Sequence, residues 1–140
     1  MSFAARTLRA FALAAGLIAG AAHAQAVDPD QLLPIEEAFQ LRAEATGRDR
    51  IEIRFDVADG YYLYRHRMGA STEGFEAGEV RWPEGIAHVD EFFGEVETYR
   101  DRVTGVLEGR AAPGVRTLEL RVRYQGCADI GVCYPPDTRS

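Results

Sequence analysis

Two seven-residue stretches of this chain alternate apolar and charged side chains with a period of two. Ile51, Ile53, Phe55 and Val57 are interleaved with Glu52, Arg54 and Asp56, and Leu118, Leu120, Val122 and Tyr124 are interleaved with Glu119, Arg121 and Arg123. Successive side chains of an extended strand point to opposite faces, so each stretch specifies a strand with one dry face and one wet face. Shorter β-prone runs lie around them: Phe39 to Ala43, Tyr61-Tyr62-Leu63-Tyr64 after the turn pair Asp59-Gly60, Val80-Arg81-Trp82 ending at Pro83, and Val103 to Leu107. Turn chemistry separates these runs at Thr46-Gly47, Gly74, Gly78, Pro83-Glu84-Gly85, Gly94, Gly109 and Pro113-Gly114. The only helical candidate is a single turn within Pro34 to Phe39. No strand–helix–strand alternation occurs, which disfavours thioredoxin-like and Rossmann folds. Six to eight short strands separated by turns predict an all-β chain folded as an antiparallel β-sandwich.

The length of 140 residues fits one such domain. A net charge of −6, with every one of the 16 basic residues an Arg, excludes a Schiff-base or P-loop lysine. The acidic balance also excludes the basic patch that counterion release on nucleic acid requires.

The first 24 residues read as a targeting segment. Arg6 and Arg9 precede an uncharged Ala- and Leu-rich run from Ala10 to Ala22, and Ala22-His23-Ala24 offers a signal-peptidase site. The run is shorter than the roughly 20 apolar residues of a membrane-spanning helix and is interrupted by Gly16 and Gly20. Residues 1–24 are therefore expected to be a cleaved signal peptide, 25–32 a flexible leader and 33–140 the folded domain, exported without a membrane span.

Export changes the reading of Cys127 and Cys133, the only two cysteines, because disulfides persist outside the cytoplasm. Five residues separate them, which matches neither Cys-x-x-Cys redox motifs nor the usual zinc spacing. Asp129-Ile130-Gly131 can turn the chain back after a strand ending near Tyr124. Residues opposed on such a hairpin have Cα atoms about 4.5–5.5 Å apart, within disulfide range. A structural clasp here would close a loop worth only about 2.4 kcal/mol in chain entropy. A bridge at a hairpin tip is also open to exchange with other thiols. Both readings, clasp and exchange, stand at this level.

Asp90-Glu91-Phe92-Phe93-Gly94 sets two carboxylates beside two large aromatics in a loop. Such a segment is either core aromatic with a wet acidic edge, or an apolar lid over a reactive group. In the second case the carboxylates raise a nearby thiol's pKa by disfavouring its thiolate. His66 and His88 could join the cysteines in a metal site, but their spacing does not support one.

Three segments together carry a resemblance: Tyr124-Gln125-Gly126-Cys127-Ala128-Asp129-Ile130-Gly131-Val132-Cys133-Tyr134-Pro135-Pro136, Asp59-Gly60-Tyr61-Tyr62-Leu63-Tyr64-Arg65, and Asp90 to Gly94 continuing into Glu97-Thr98-Tyr99-Arg100-Asp101-Arg102. They resemble the N-terminal periplasmic domain of the DsbD thiol:disulfide interchange family, from about Leu33 onward. The resemblance implies an immunoglobulin-like β-sandwich whose cysteines, Cys127 and Cys133, cycle between dithiol and disulfide with no cofactor. It implies electron supply from a membrane-linked thioredoxin-like donor. It also implies delivery to periplasmic disulfide isomerases and to the thioredoxin-like proteins of cytochrome c maturation. By the same resemblance Asp90, Glu91, Phe92 and Phe93 form a cap loop, with Phe92 as shield, and Tyr62 and Tyr64 line the site. Cys133 is implied as the interchange sulfur and Cys127 as its resolving partner. Full-length relatives continue into membrane helices and a thioredoxin-like domain. With few residues after Cys133, a last strand is expected to be short or missing. Position 93 is Phe where the family carries Tyr. The rivals are an exported sandwich with a purely structural disulfide and a periplasmic metal-binding domain.

Overall fold

The structure, a computed structural model, describes residues 28–140; the expected signal peptide lies outside the described residues. The expected leader carries a 3-10 turn at Pro29–Gln31, and one α-helical turn (α1) spans Ile35–Ala38. Twelve strands follow: β1 Phe39–Ala45, β2 Arg50–Val57, β3 Tyr61–Tyr64, β4 Gly69–Thr72, β5 Phe75–Ala77, β6 Ile86–Asp90, β7 Gly94–Tyr99, β8 Arg102–Ala111, β9 Leu120–Tyr124, β10 Gly126–Ala128, β11 Val132–Cys133 and β12 Asp137–Arg139. A 3-10 turn at Arg65–Arg67 leaves β3. They build antiparallel sheets in the orders β1-β2-β8-β5, β11-β10-β3-β7-β6 and β12-β9-β4. The architecture is the immunoglobulin-like antiparallel sandwich. No helix among the described residues is long and apolar enough to cross a membrane.

The period-two pattern of β2 sends Ile51, Ile53, Phe55 and Val57 inward, where each is buried. Phe55 meets Tyr124 of β9 across the sandwich, with ring centroids 4.9 Å apart. Each such side chain contributes about 1.5–3 kcal/mol by leaving water. The Tyr124 hydroxyl keeps a partner in this setting by donating to Asp137 Oδ2 at 2.8 Å. That bond ties β12, a last strand of three residues, to β9.

The strand count exceeds the expected six to eight because β5, β10, β11 and β12 have two or three residues each, too few to display a period. Val80 to Trp82 does not form a strand; Arg81 makes one isolated bridge to Val106 before Pro83 ends it. Gly109, read as a turn, lies inside β8, where β5 passes so closely that a Cβ would strike the Glu76 carbonyl. Leu118 precedes β9 and packs on the core from outside the sheet.

β3 and β10 position the site. All four residues of β3 are buried: Tyr61 and Leu63 join the main core, while Tyr62 and Tyr64 point the other way and cluster with Cys127. β10 repeats the division, with Ala128 in the main core and Cys127 on the opposite face. Register pairs Cys127 with Tyr62 on one side and with Cys133 on the other. β10 reaches this depth because Gly126 lies against Phe39, itself fully buried and in edge contact with Tyr61, Tyr124 and Tyr134. A Cβ at position 126 would run into the Phe39 ring and the Tyr62 carbonyl oxygen. Gly126→Ala is therefore expected to destabilise the fold by about 1–3 kcal/mol through overpacking. Urea midpoints of parent and variant, both oxidised, check this; an unchanged midpoint would mean that β10 shifts freely away from Phe39.

Candidate functional site

The cysteine hairpin folds as its turn chemistry dictates. Gly131 takes φ 90°, a region open to glycine, and its N–H donates to the Ala128 carbonyl at 3.0 Å. This brings Cys127 and Cys133 into register as a disulfide with Cα atoms 4.0 Å apart, closer than the spacing expected of an ordinary opposed pair. The two sulfurs are not equivalent. Cys127 is 1% exposed, whereas Cys133 is only partly buried and lines a shallow depression of about 270 Å³. Tyr62, His88, Asp90, Glu91 and Phe92 share that depression.

Tyr64 connects the sulfurs to the acidic segment. Its hydroxyl oxygen lies 3.2 Å from Cys127 Sγ and 3.9 Å from Cys133 Sγ, and the hydroxyl donates to Asp90 Oδ2. The other carboxylate oxygen, Asp90 Oδ1, accepts the Phe92 and Phe93 N–H groups at 2.7 and 2.8 Å. Asp90 therefore fixes the turn between β6 and β7 and the phenol over the sulfurs at once. Residues 91–93 form that turn, and Gly94 closes it at φ 74°. Burial pulls the Asp90 pKa upward, but the Tyr64 hydroxyl and the two amides outweigh it, holding the carboxyl below its ordinary value. Burial, reinforced by the bond to Asp90, pushes the Tyr64 phenol far upward, so it stays protonated.

All the expected site residues come together, in different roles. Phe93 lays its ring edge-on against Tyr64, centroids 5.1 Å apart, and against His66 at 5.0 Å. Phe92 stands at the rim of the depression, 59% exposed, and Glu91 lies beside it in solvent. Tyr62 meets Tyr64 edge-on at 5.4 Å. His66 and His88 pack on rings, His88 against Tyr62 at 5.5 Å. Among the described residues no three His, Cys, Asp or Glu side chains converge as metal ligands.

Arg100 carries no assignable role in the sequence alone, yet it is part of the site. Its guanidinium pairs with both carboxylate oxygens of Asp129, at 2.9 and 2.7 Å, and lies 5.0 Å over the Tyr62 ring. It thereby clamps the cysteine turn to the end of β7. Its neighbours in Tyr99-Arg100-Asp101 gave the only signal, a shared segment without an assigned role.

The chain matches the family model described as "Thiol:disulfide interchange protein DsbD, N-terminal" over residues 29–140. It is 40% identical over 111 residues to the thiol:disulfide interchange protein DsbD of Escherichia coli O157:H7 and, equally, to that of strain K12. Each alignment covers 79% of this chain and 19% of the relative, so the chain spans about a fifth of the length of these curated proteins. The reduced DsbD N-terminal domain of Neisseria meningitidis superposes with a TM-score of 0.71 at 35% identity, covering 79% of this chain and 88% of that one. A second Neisseria structure, a complex between the DsbD N-terminal and PilB N-terminal domains, gives 0.65 at 34% identity, covering 78% and 84%. The chain belongs to the family of DsbD N-terminal domains.

Because its folded-state pKa lies below the unfolded one, Asp90 contributes stability that is complete above the ordinary carboxylate range, and that stability is lost as pH falls through the folded value. Asp90→Asn is expected to cost about 1.5–3 kcal/mol at pH 7, the range for hydrogen bonds to a charged group. The deficit should shrink toward pH 3, below the ordinary carboxylate value, where the unfolded chain takes up a proton that the folded carboxyl still resists. Urea denaturation of the oxidised proteins at both pH values checks the sign. A deficit independent of pH would assign the loss to packing instead.

Proposed function

We propose that this domain carries out dithiol–disulfide interchange in the periplasm, taking electrons from a membrane-linked thioredoxin-like donor and passing them to periplasmic protein disulfides. The observation that carries this reading is the inequality of the sulfurs: Cys127 is buried beside the Tyr64 hydroxyl, while Cys133 borders the depression. A bridge serving only as a clasp needs no accessible sulfur. Family membership and the cysteine hairpin support the same reading.

In the loading half, a donor thiolate attacks Cys133 Sγ, forming a mixed disulfide and releasing Cys127 as thiolate. The donor's second thiol then attacks its own sulfur in that bond, leaving the donor oxidised and both cysteines reduced. In the delivery half, Cys133 attacks a substrate disulfide, and Cys127 resolves the mixed disulfide to release the substrate dithiol. Two electrons and two protons pass in each half, carried on sulfur, so no metal, flavin or nicotinamide enters.

The Asp90 carboxylate, one hydroxyl away from Cys127, opposes thiolate formation there. The reduced pair is thus kept quiet until a partner docks. Phe92 is the shield of Cys133, displaced by apolar contacts from the partner; its exposure, with that of Val89 in the same depression, suits that exchange of contacts. The partners are thioredoxin-fold proteins: the donor domain, disulfide isomerases and the thioredoxin-like proteins of cytochrome c maturation. Residues 1–24 would export the chain and be removed, leaving a leader before the domain at 33–140.

Cys127→Ala and Cys133→Ala are each expected to abolish electron transfer to a thioredoxin-fold protein while leaving the sandwich folded, since the lost loop constraint is only about 2.4 kcal/mol. Cys127→Ala alone should accumulate a reductant-sensitive adduct through Cys133, seen on non-reducing gels. Folded Cys127→Ala that forms no adduct, or a parent reduction potential below about −300 mV, would return the bridge to a structural role.

A further inference from the structure

The cap turn holds its two phenylalanines differently. Phe92 is tied by its backbone N–H to Asp90, and its ring enters none of the aromatic pairs among the described residues. Phe93 has the same backbone tie and three ring contacts besides. Tyr64 and His66 meet it edge-on, and the Arg67 guanidinium carbon lies 5.2 Å from its ring centroid. Tyr64 ends β3, and His66 and Arg67 belong to the 3-10 turn that follows it, so one short segment holds Phe93 by three side chains.

Arg67 is itself anchored. Its Nε donates to Gln125 Oε1 at 2.8 Å, and Gln125 Nε2 donates to the Tyr134 carbonyl at 3.1 Å. Gln125 is buried, two residues before Cys127, and Tyr134 directly follows Cys133. A continuous chain of contacts therefore runs from the Phe93 ring through Arg67 and Gln125 to the backbone flanking both cysteines.

We propose that Phe93 is the latch of the cap, and that His66 and Arg67 are positioning residues that close it over the cysteine pair. The inference rests on the interchange reading of that pair and adds what governs access to it. Phe92 supplies the cover, but with no ring partner it cannot hold the cover in place. Phe93, held by edge-on rings and a cation over its face, supplies the closing free energy. When attack on Cys133 requires an open cap, the observed rate scales with the open fraction, so each contact removed from Phe93 raises that rate.

The experiment measures reduction of the oxidised full chain by glutathione, a thiol too small to contribute docking contacts, with folding checked by near-ultraviolet circular dichroism. Phe93→Ala should accelerate reduction about three- to tenfold, the factor expected from losing one or two aromatic contacts. His66→Ala and Arg67→Ala should each accelerate it less. The double variant His66→Ala/Phe93→Ala should react no faster than Phe93→Ala, because His66 acts through that ring. His66→Phe, which keeps a ring edge without the imidazole, should return the rate toward the parent's. Parent-like glutathione rates in folded His66→Ala and Arg67→Ala, or additive effects in the double variant, would overturn the latch. Parallel exchange with a thioredoxin-fold protein separates the two readings. A parent that fails to exchange with it refutes the interchange function, whereas the glutathione comparison tests the latch alone.

Discussion

The structure depends on a four-residue strand with no wet face. Tyr61 to Tyr64 is buried on both sides, so its period of two divides the molecule: Tyr61 and Leu63 belong to the core of the sandwich, Tyr62 and Tyr64 to the sulfurs. A one-residue slip would exchange the two sets, turning Leu63 toward the sulfurs and taking the Tyr64 hydroxyl away from Asp90. The neighbour β10 obeys the same constraint, and its Cys127 faces the site only because Gly126 and Ala128 face the core. Site and fold are thus two faces of the same strands, and the core's stability fixes the geometry at the cysteines.

One phenol organises the chemistry on the outer face. The Tyr64 hydroxyl stands between the Asp90 carboxylate and both sulfurs, and Asp90 in turn holds the turn that carries Phe92 and Phe93. Electrostatics and access are therefore coupled through a single side chain. A carboxylate held below its ordinary pKa near a buried sulfur disfavours a free thiolate, and the same carboxylate fixes the turn that sets Phe92 at the rim of the depression with Cys133. Arg100 adds the rigid boundary, pairing with Asp129 in the cysteine turn while lying over Tyr62. In the interchange we propose, selectivity comes from what a partner must displace, without a deep binding pocket.

Some of this is legible in the chain alone. β2 and the last five residues of the Leu118 to Tyr124 stretch form as their alternation requires, because one face of each is wet and the contrast survives. The cysteine turn was legible from Asp129-Ile130-Gly131, because glycine conformation and hairpin pairing are local matters. Val80 to Trp82 has β-prone residues but no room for a full ladder before Pro83. Gly109 in β8 resembles a turn glycine because the close approach of its paired strand β5 and a positive φ both favour glycine, and only the neighbour's position tells them apart.

The sequence by itself determined that the chain is an antiparallel sandwich, that its two cysteines meet across a short turn, and that acidic and aromatic residues travel together in one segment. These follow from local periodicity, turn chemistry and spacing, which act over a few residues. Only the tertiary structure decided which sulfur is buried, that Tyr64 joins Asp90 to the pair, and that Phe93 rather than Phe92 is gripped by neighbouring rings. Those outcomes depend on contacts between segments 26 to 69 residues apart, set by how the sheets pack, and no local pattern in the chain encodes them.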